Sequence, residues 1–242
     1  MPFRMHRGPF VAVLGVILLL VITRSAIGAH YPHDWLIENA LVLGAGILLA
    51  TTWRSLPLSL FSYTLIFIFL CLHETGVHWT YAEVPYNDWW RALFGVSLND
   101  VLGFERNHFD RLVHFSYGLL LSYPIREVFV RVAEVRGFWS YFLPLDLVMS
   151  TSMLYELIEW GAAIVFGGEL GEAYLGTQGD VWDAHKDMAL ASLGALIAMS
   201  LIAAINRRYN RDFAREFRDS LRVKQTEVLG EEALDRLRQN SR

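Results

Sequence analysis

The chain has 242 residues, of which 54% are hydrophobic and 19% charged, and its mean hydropathy is +0.31. A water-soluble domain of this size cannot bury that much apolar surface. The formal net charge of −4 offers no basic field for nucleic acid, and none is expected as a partner. Cys71 is the single cysteine, which excludes an intrachain disulfide and a thiolate metal cluster.

The apolar residues gather in blocks of roughly 18 to 25, the length a helix needs to cross about 30 Å of hydrocarbon. They predict an all-α, polytopic membrane bundle of six transmembrane helices, at about 9–27, 35–53, 56–72, 109–130, 139–166 and 188–205. The bundle then occupies residues 1–206, and 207–242 form a charged cytoplasmic tail. The first block follows Arg4 and Arg7 and fits either a membrane helix or a signal peptide. Arg24 stands between its apolar core and the small residues Ala26, Gly28 and Ala29, which argues for an uncleaved helix.

Basic residues in short connections stay on the cytoplasmic side. Under a six-helix count Arg4, Arg7, Arg54, Arg126, Arg131, Arg136, Arg207, Arg208 and Arg211 all fall on one side, which puts both termini in the cytoplasm. The opposite side is acidic and aromatic, around Asp34, Glu83 to Glu105 and Glu169 to Asp180, with Trp79, Trp89, Trp90 and Trp182 placed as interfacial anchors. Within the long outer segment Glu74 to Asn107, Tyr86 to Phe94 predicts a short amphipathic helix on the membrane surface. In the tail, Phe213, Phe217 and Leu221 recur along one helical stripe. This predicts a helix, either solvated or in contact with headgroups or protein through its basic face.

An ionisable group inside a span is expensive and asks for a partner or a task. The third block ends in His73 and Glu74, the fourth opens with Asp110, Arg111 and His114, the fifth carries Glu156 and Glu159, and the sixth opens with Asp183, His185, Lys186 and Asp187. Asp110 and His114, Glu156 and Glu159, and Asp183 and Asp187 each share a helical face by their spacing. The expected site is therefore one outer pocket formed by Asp110, His114, Glu156, Glu159, Asp183 and Asp187. Six carboxylates, counting Glu74, meet only Arg111 and Lys186 there, so protons, a bound cation, histidine charging or outside water must relieve the excess. If the cation is a divalent metal, the expected ligands are His73, Glu74, Asp110 and His114; the cofactor is otherwise open. A simpler reading has these groups pairing with one another to hold the helices together.

Other motifs fail on spacing. His73 and His78 stand one residue too far apart for the zinc-protease pair, and Gly176 to Asp180 lacks the lysine of a phosphate loop and reads as a tight turn. Ser97 and Ser116 lack a nucleophile-elbow setting. His30 and His33 read as solvated loop residues.

The runs His73-Glu74-Thr75-Gly76, Asn107 to Phe115, Tyr155-Glu156-Leu157-Ile158-Glu159-Trp160 and Gly176 to Met188 together resemble the YjdF family of bacterial inner-membrane proteins. The resemblance runs from Arg4 to about Arg208 and implies a multi-pass inner-membrane location, with no activity attached. More distantly, Asp110-x-x-x-His114, Glu156, and Asp183 with Asp187 ahead of Gly194 are similar to the VanZ-like pattern. There an asparagine usually completes the last pair, where this chain has Asp187. Three functions fit: a polar or cation-binding site acting on a lipid-linked or envelope molecule, a proton-coupled small-molecule transporter, and a non-catalytic membrane scaffold.

Overall fold

A computed structural model describes residues 7–166, 177–224, 230 and 236–239, and among them the chain is all-helical. Six long helices are α1 (Arg7–Ala26), α2 (Pro32–Thr52), α3 (Leu60–Trp79), α6 (Phe109–Val132), α7 (Trp139–Phe166) and α8 (Asp183–Tyr209). Between α3 and α6 lie a 3₁₀ turn (Tyr81–Glu83) and the short helices α4 (Tyr86–Phe94) and α5 (Leu98–Leu102); α9 (Phe213–Ser220) follows α8. Four helices, α1, α2, α3 and α8, are long and apolar enough to cross a membrane. At 1.5 Å per residue α6 and α7 are longer still than α1, at about 36 and 42 Å. Their composition is more polar, because α6 carries Asp110, Arg111, Arg126, Glu127 and Arg131 and α7 carries Asp146, Glu156 and Glu159.

The end of the third helix and the start of the last pass beyond the hydropathy blocks for the same reason. The third helix starts at Leu60, where the Ser59 side chain accepts from the Ser62 N–H, and runs on through His73 and Glu74 to Trp79. The last begins at Asp183, whose carboxylate suits a helix N-terminus. Hydropathy stops at charge, whereas these charges are held inside helices by tertiary partners.

The six long helices alternate in direction. The C-terminal ends of α1 and α3 meet through Ser25 and Glu74, and the N-terminal end of α2 joins them through Trp35, whose indole N–H donates to Ser25 Oγ at 2.8 Å. The opposite end is pinned by Glu127 of α6, which accepts from the Ser59 N–H at 2.9 Å, the Ser62 hydroxyl at 2.5 Å and Arg131 at 2.8 Å, closing the start of α3 onto α6. At the same end α9 docks on the α6–α7 connection. Phe217 packs edge-on against Phe138, Phe213 against Tyr141, and Ser220 accepts from the Phe138 N–H and the Trp139 indole. The aromatic stripe expected in the tail is thus used in part against the bundle itself, while Leu221 stays exposed. The expectations for 225–229, 231–235 and 240–242 lie outside the described residues.

The core centres on α6, which packs on α3, α7 and, most extensively, α8. At the α6–α8 crossing a Cβ on Gly118 would collide with the carbonyl of Ala191, and a Cβ on Gly194 with the carbonyl of Phe115. The two backbones therefore touch, flanked by Val148 of α7 and by Ala191 and Ala195 of α8, none of them exposed. In lipid, where burying apolar surface no longer drives helices together, such close approach is a main source of association.

Gly118→Ala or Gly194→Ala should lower the stability of the purified protein by about 1–3 kcal/mol, the usual cost of overpacking. Gly161→Ala, where the new Cβ meets nothing within 4 Å, should change thermal unfolding in detergent by less than about 0.5 kcal/mol. Equal effects at all three positions would contradict the close crossing.

Candidate functional site

The crossing aligns the N-terminal ends of α6 and α8, and Asp110 and His114 on one helix face Asp183 and Asp187 on the other. The acidic groups then divide into two layers. The first layer is an ion-pair lattice at the mouth. Arg106, just before α6, grips Asp183 with both terminal nitrogens, at 2.7 and 3.1 Å, and donates to the carbonyl of Thr177 at 2.8 Å. Arg111 reaches Asp180 at 2.6 Å and Asp183 at 3.1 Å, and Lys186 reaches Asp180 at 2.5 Å. The Lys186 ammonium foremost, then the Trp182 N–H and Arg111, holds the Asp180 carboxyl well below the usual carboxylate range. The expected tight turn is present from Thr177 to Asp180, with Gln178 and Gly179 both at positive φ. Its Gln178 side chain exchanges two hydrogen bonds with the backbone of Asn107. Gly176 and the acidic stretch from Glu169 lie outside the described residues.

The second layer lies deeper and has carboxylates in excess. His114 Nε2 stands 3.6 Å from Asp110 Oδ1 and 3.5 Å from Glu156 Oε1. Ligand atoms of Asp110, His114 and Asp187 lie within 4.8 Å of one another, and among the described residues they are the group that could close on one metal ion. Glu156 Oε1 and Asp187 Oδ1 are buried without a hydrogen-bond partner. Among the described residues no Lys or Arg comes within 4.0 Å of Asp110, Glu156, Glu159 or Asp187. Glu159 is within electrostatic reach of Asp110, Glu156 and Glu38.

Of the six expected pocket residues, Asp110, His114, Glu156 and Asp187 are gathered most closely, Glu159 stands beside them, and Asp183 belongs to the ion-pair lattice above. His73 and Glu74 fall outside the compact ligand set. The His73 ring meets the Tyr81 hydroxyl at 2.7 Å, and Glu74 binds the Ser25 hydroxyl on the far side of α3. His78 also turns to a separate partner, the carbonyl of Ser25 at 2.7 Å. Three participants escaped the sequence reading. Glu38 of α2 is buried and receives the Tyr155 hydroxyl at 2.9 Å from both oxygens, while the Tyr155 ring sits edge-on to His114 at 5.8 Å. A lone Glu inside the second apolar block was the signal for it. Arg106 lies in the outer segment before α6, and its only sequence signal is a basic residue amid carboxylates on that side.

The segment over this end forms α4 at Tyr86–Phe94, as the sequence predicts. Its anchor is Tyr86, which donates to Asn99 at 2.7 Å and receives the His108 N–H at 2.9 Å, and Asn107 ties it down through the Val84 carbonyl. Leu93 and Phe94 are exposed.

The helical architecture, with four helices long and apolar enough to cross a membrane, defines a polytopic membrane protein. Residues 10–208 match the family model described as Predicted membrane protein (DUF2238), and the chain belongs to that family. It is 38% identical over 197 residues, 81% of this chain and 90% of the relative, to Inner membrane protein YjdF of Escherichia coli (strain K12). The protein is thus a multi-pass inner-membrane protein of the YjdF family. Neither match extends to VanZ-like proteins. No solved structure matches the chain significantly.

Because the folded Asp180 carboxyl resists protonation, its stabilising contribution is complete above the ordinary carboxylate value and is lost as pH falls from there to the depressed folded value. Amide exchange across Thr177 to Asp183 should therefore show the same protection at pH 7 and pH 5 and lose it in stronger acid. Asp180→Asn should abolish that acid step while leaving exchange in α3 unchanged.

Proposed function

We propose that the protein carries a divalent-cation site in the outer half of a six-helix, N-in/C-in bundle, and that the cation acts on an anionic or lipid-linked molecule of the envelope. The observation that carries this is the convergence of Asp110, His114 and Asp187 ligand atoms within 4.8 Å, with no Lys or Arg at ion-pair distance among the described residues. Buried carboxylates without counter-charge are costly by several kcal/mol each unless a cation or proton joins them. Two carboxylates and one imidazole suit a hard to borderline ion such as Mn2+ or Zn2+, and Glu156 stands ready as a further oxygen ligand. Such an ion would polarise a phosphoryl or carbonyl oxygen presented from the outer leaflet.

The alternation of the six long helices and the arginines at the Glu127 end support the orientation, with that end and the tail from 207 in the cytoplasm. The exposed apolar residues of α4 support its lying on the outer membrane surface. The lattice of Arg106, Arg111, Lys186, Asp180 and Asp183 would then form a rigid, charge-balanced rim around the cation site.

Metal analysis of the purified protein should find about one divalent ion per chain after incubation with Mn2+ or Zn2+ and removal of excess. Asp110→Asn and Asp187→Asn should each cut retention by roughly tenfold or more, one lost charge-assisted contact being worth about 1.5–3 kcal/mol. Glu74→Gln should leave it unchanged. Protein that stays metal-free with each of Mn2+, Zn2+, Mg2+ and Ca2+ would refute the reading.

For the topology, alkaline phosphatase fused after Arg136 or Arg208 should be inactive and a fusion after Glu105 active. The reverse pattern would overturn the orientation.

A further inference from the structure

A second polar centre lies on the other side of α3, away from the Asp110 cluster. A cavity of about 460 Å3 opens between α1 and α3 beneath Trp89 of α4. Its walls toward the bilayer are Ile17, Leu20 and Val21 of α1, its inner end is formed by Glu74 and His78, and Arg24 stands at its exposed rim. Ile17 and Leu20 are largely exposed, so the cavity is continuous with the lipid-facing surface of α1.

The hydrogen bonds at its inner end fix what remains on offer. The Ser25 hydroxyl receives the Trp35 indole N–H and donates to Glu74 Oε2, while the buried Oε1 makes no hydrogen bond within 3.5 Å, with the Asn39 amide the other polar group near the carboxylate. Since a carbonyl only accepts, His78 Nδ1 carries the proton it gives to the Ser25 carbonyl, and Nε2 is the ring nitrogen left for another partner. Arg24 spends one nitrogen on the Ile27 carbonyl at 3.3 Å and stays exposed at the rim, with no carboxylate in ion-pair distance among the described residues. The cavity thus presents a fully buried carboxylate and a ring nitrogen at its depth, a guanidinium at its edge and an apolar wall below. A buried carboxylate lacking a cation is destabilising, and no Lys or Arg lies within 4.0 Å of Glu74 among the described residues.

We propose that this cleft binds one phospholipid with a primary-ammonium headgroup, the ammonium resting on Glu74 and His78, the phosphate on Arg24, and the acyl chains along Ile17, Leu20 and Val21. Complementary charge decides for such a lipid. A glycerol headgroup brings no cation to Glu74, and a quaternary choline brings charge without N–H donors. The site is separate from the Asp110 cluster and stands or falls without it.

The test is native mass spectrometry of the full chain released from micelles holding equal amounts of phosphatidylethanolamine, phosphatidylcholine and phosphatidylglycerol. One phosphatidylethanolamine should be retained roughly tenfold over either competitor, as charge-assisted hydrogen bonds to the ammonium imply. Glu74→Gln should bring its retention down to that of phosphatidylcholine. Arg24→Ala, at an exposed position that leaves the core untouched, should lower retention of phosphatidylethanolamine and phosphatidylcholine alike. Thermal unfolding of both variants identifies any that fail to fold, in which case the wild-type preference and the remaining variant decide. Equal retention of the three lipids by the wild-type chain overturns the proposal, as does a preference that survives both substitutions.

Discussion

Backbone contact between α6 and α8, at Gly118 and Gly194, sets the register on which the rest of the structure depends. Ordinary side chains there would hold the helices apart by the width of a methyl group or more. About one to three turns toward the helix N-termini, that gap would separate His114 from Asp187 and Arg111 from Asp183. Small residues at this crossing therefore position the polar cluster as much as its own side chains do. The same crossing allows Val148 of α7 to seat against Ala191 and Ala195, which brings Tyr155 and Glu156 to the level of His114.

Electrostatics explains why the acidic end has two layers. Asp180 and Asp183 are nearest the loops and are matched by Arg106, Arg111 and Lys186, so they hold the Thr177 to Asp180 turn and the start of α8 in place. Bidentate contact from Arg106 adds direction as well as charge. Below them Asp110, Glu156 and Asp187 face one imidazole. Pairing above and excess charge below suit the proposed cation: a rim whose charges are already matched, and a floor whose excess a cation or protons would relieve.

The two ends of the bundle are fastened differently. At the acidic end the fastenings are charge pairs and the hydrogen bonds of Tyr86, Asn99 and Asn107. At the other end Glu127 caps α3, and α9 lies on Phe138 and Tyr141, where Arg126 also rests its guanidinium 4.8 Å above the Tyr141 ring.

What the sequence determined by itself is the set of properties that depend on composition and helical period. Blocks of apolar residues mark an integral membrane protein; the spacings of Asp110 with His114, Glu156 with Glu159 and Asp183 with Asp187 put each pair on one face of a helix; and Tyr86 to Phe94 carries its own amphipathic signal. What only the tertiary structure decided is which faces meet. Period alone could not separate His73 and Glu74 from Asp110, because the helices they sit on end at the same level and differ only in rotation about their axes. Nor could it assign Asp183 to Arg106 rather than to the deeper cluster, or bring Glu38 from α2 to Tyr155 on α7. Rotation and pairing are fixed by long-range contacts such as Gly118 with Gly194, and a one-dimensional pattern carries no record of the partner that a small residue makes room for.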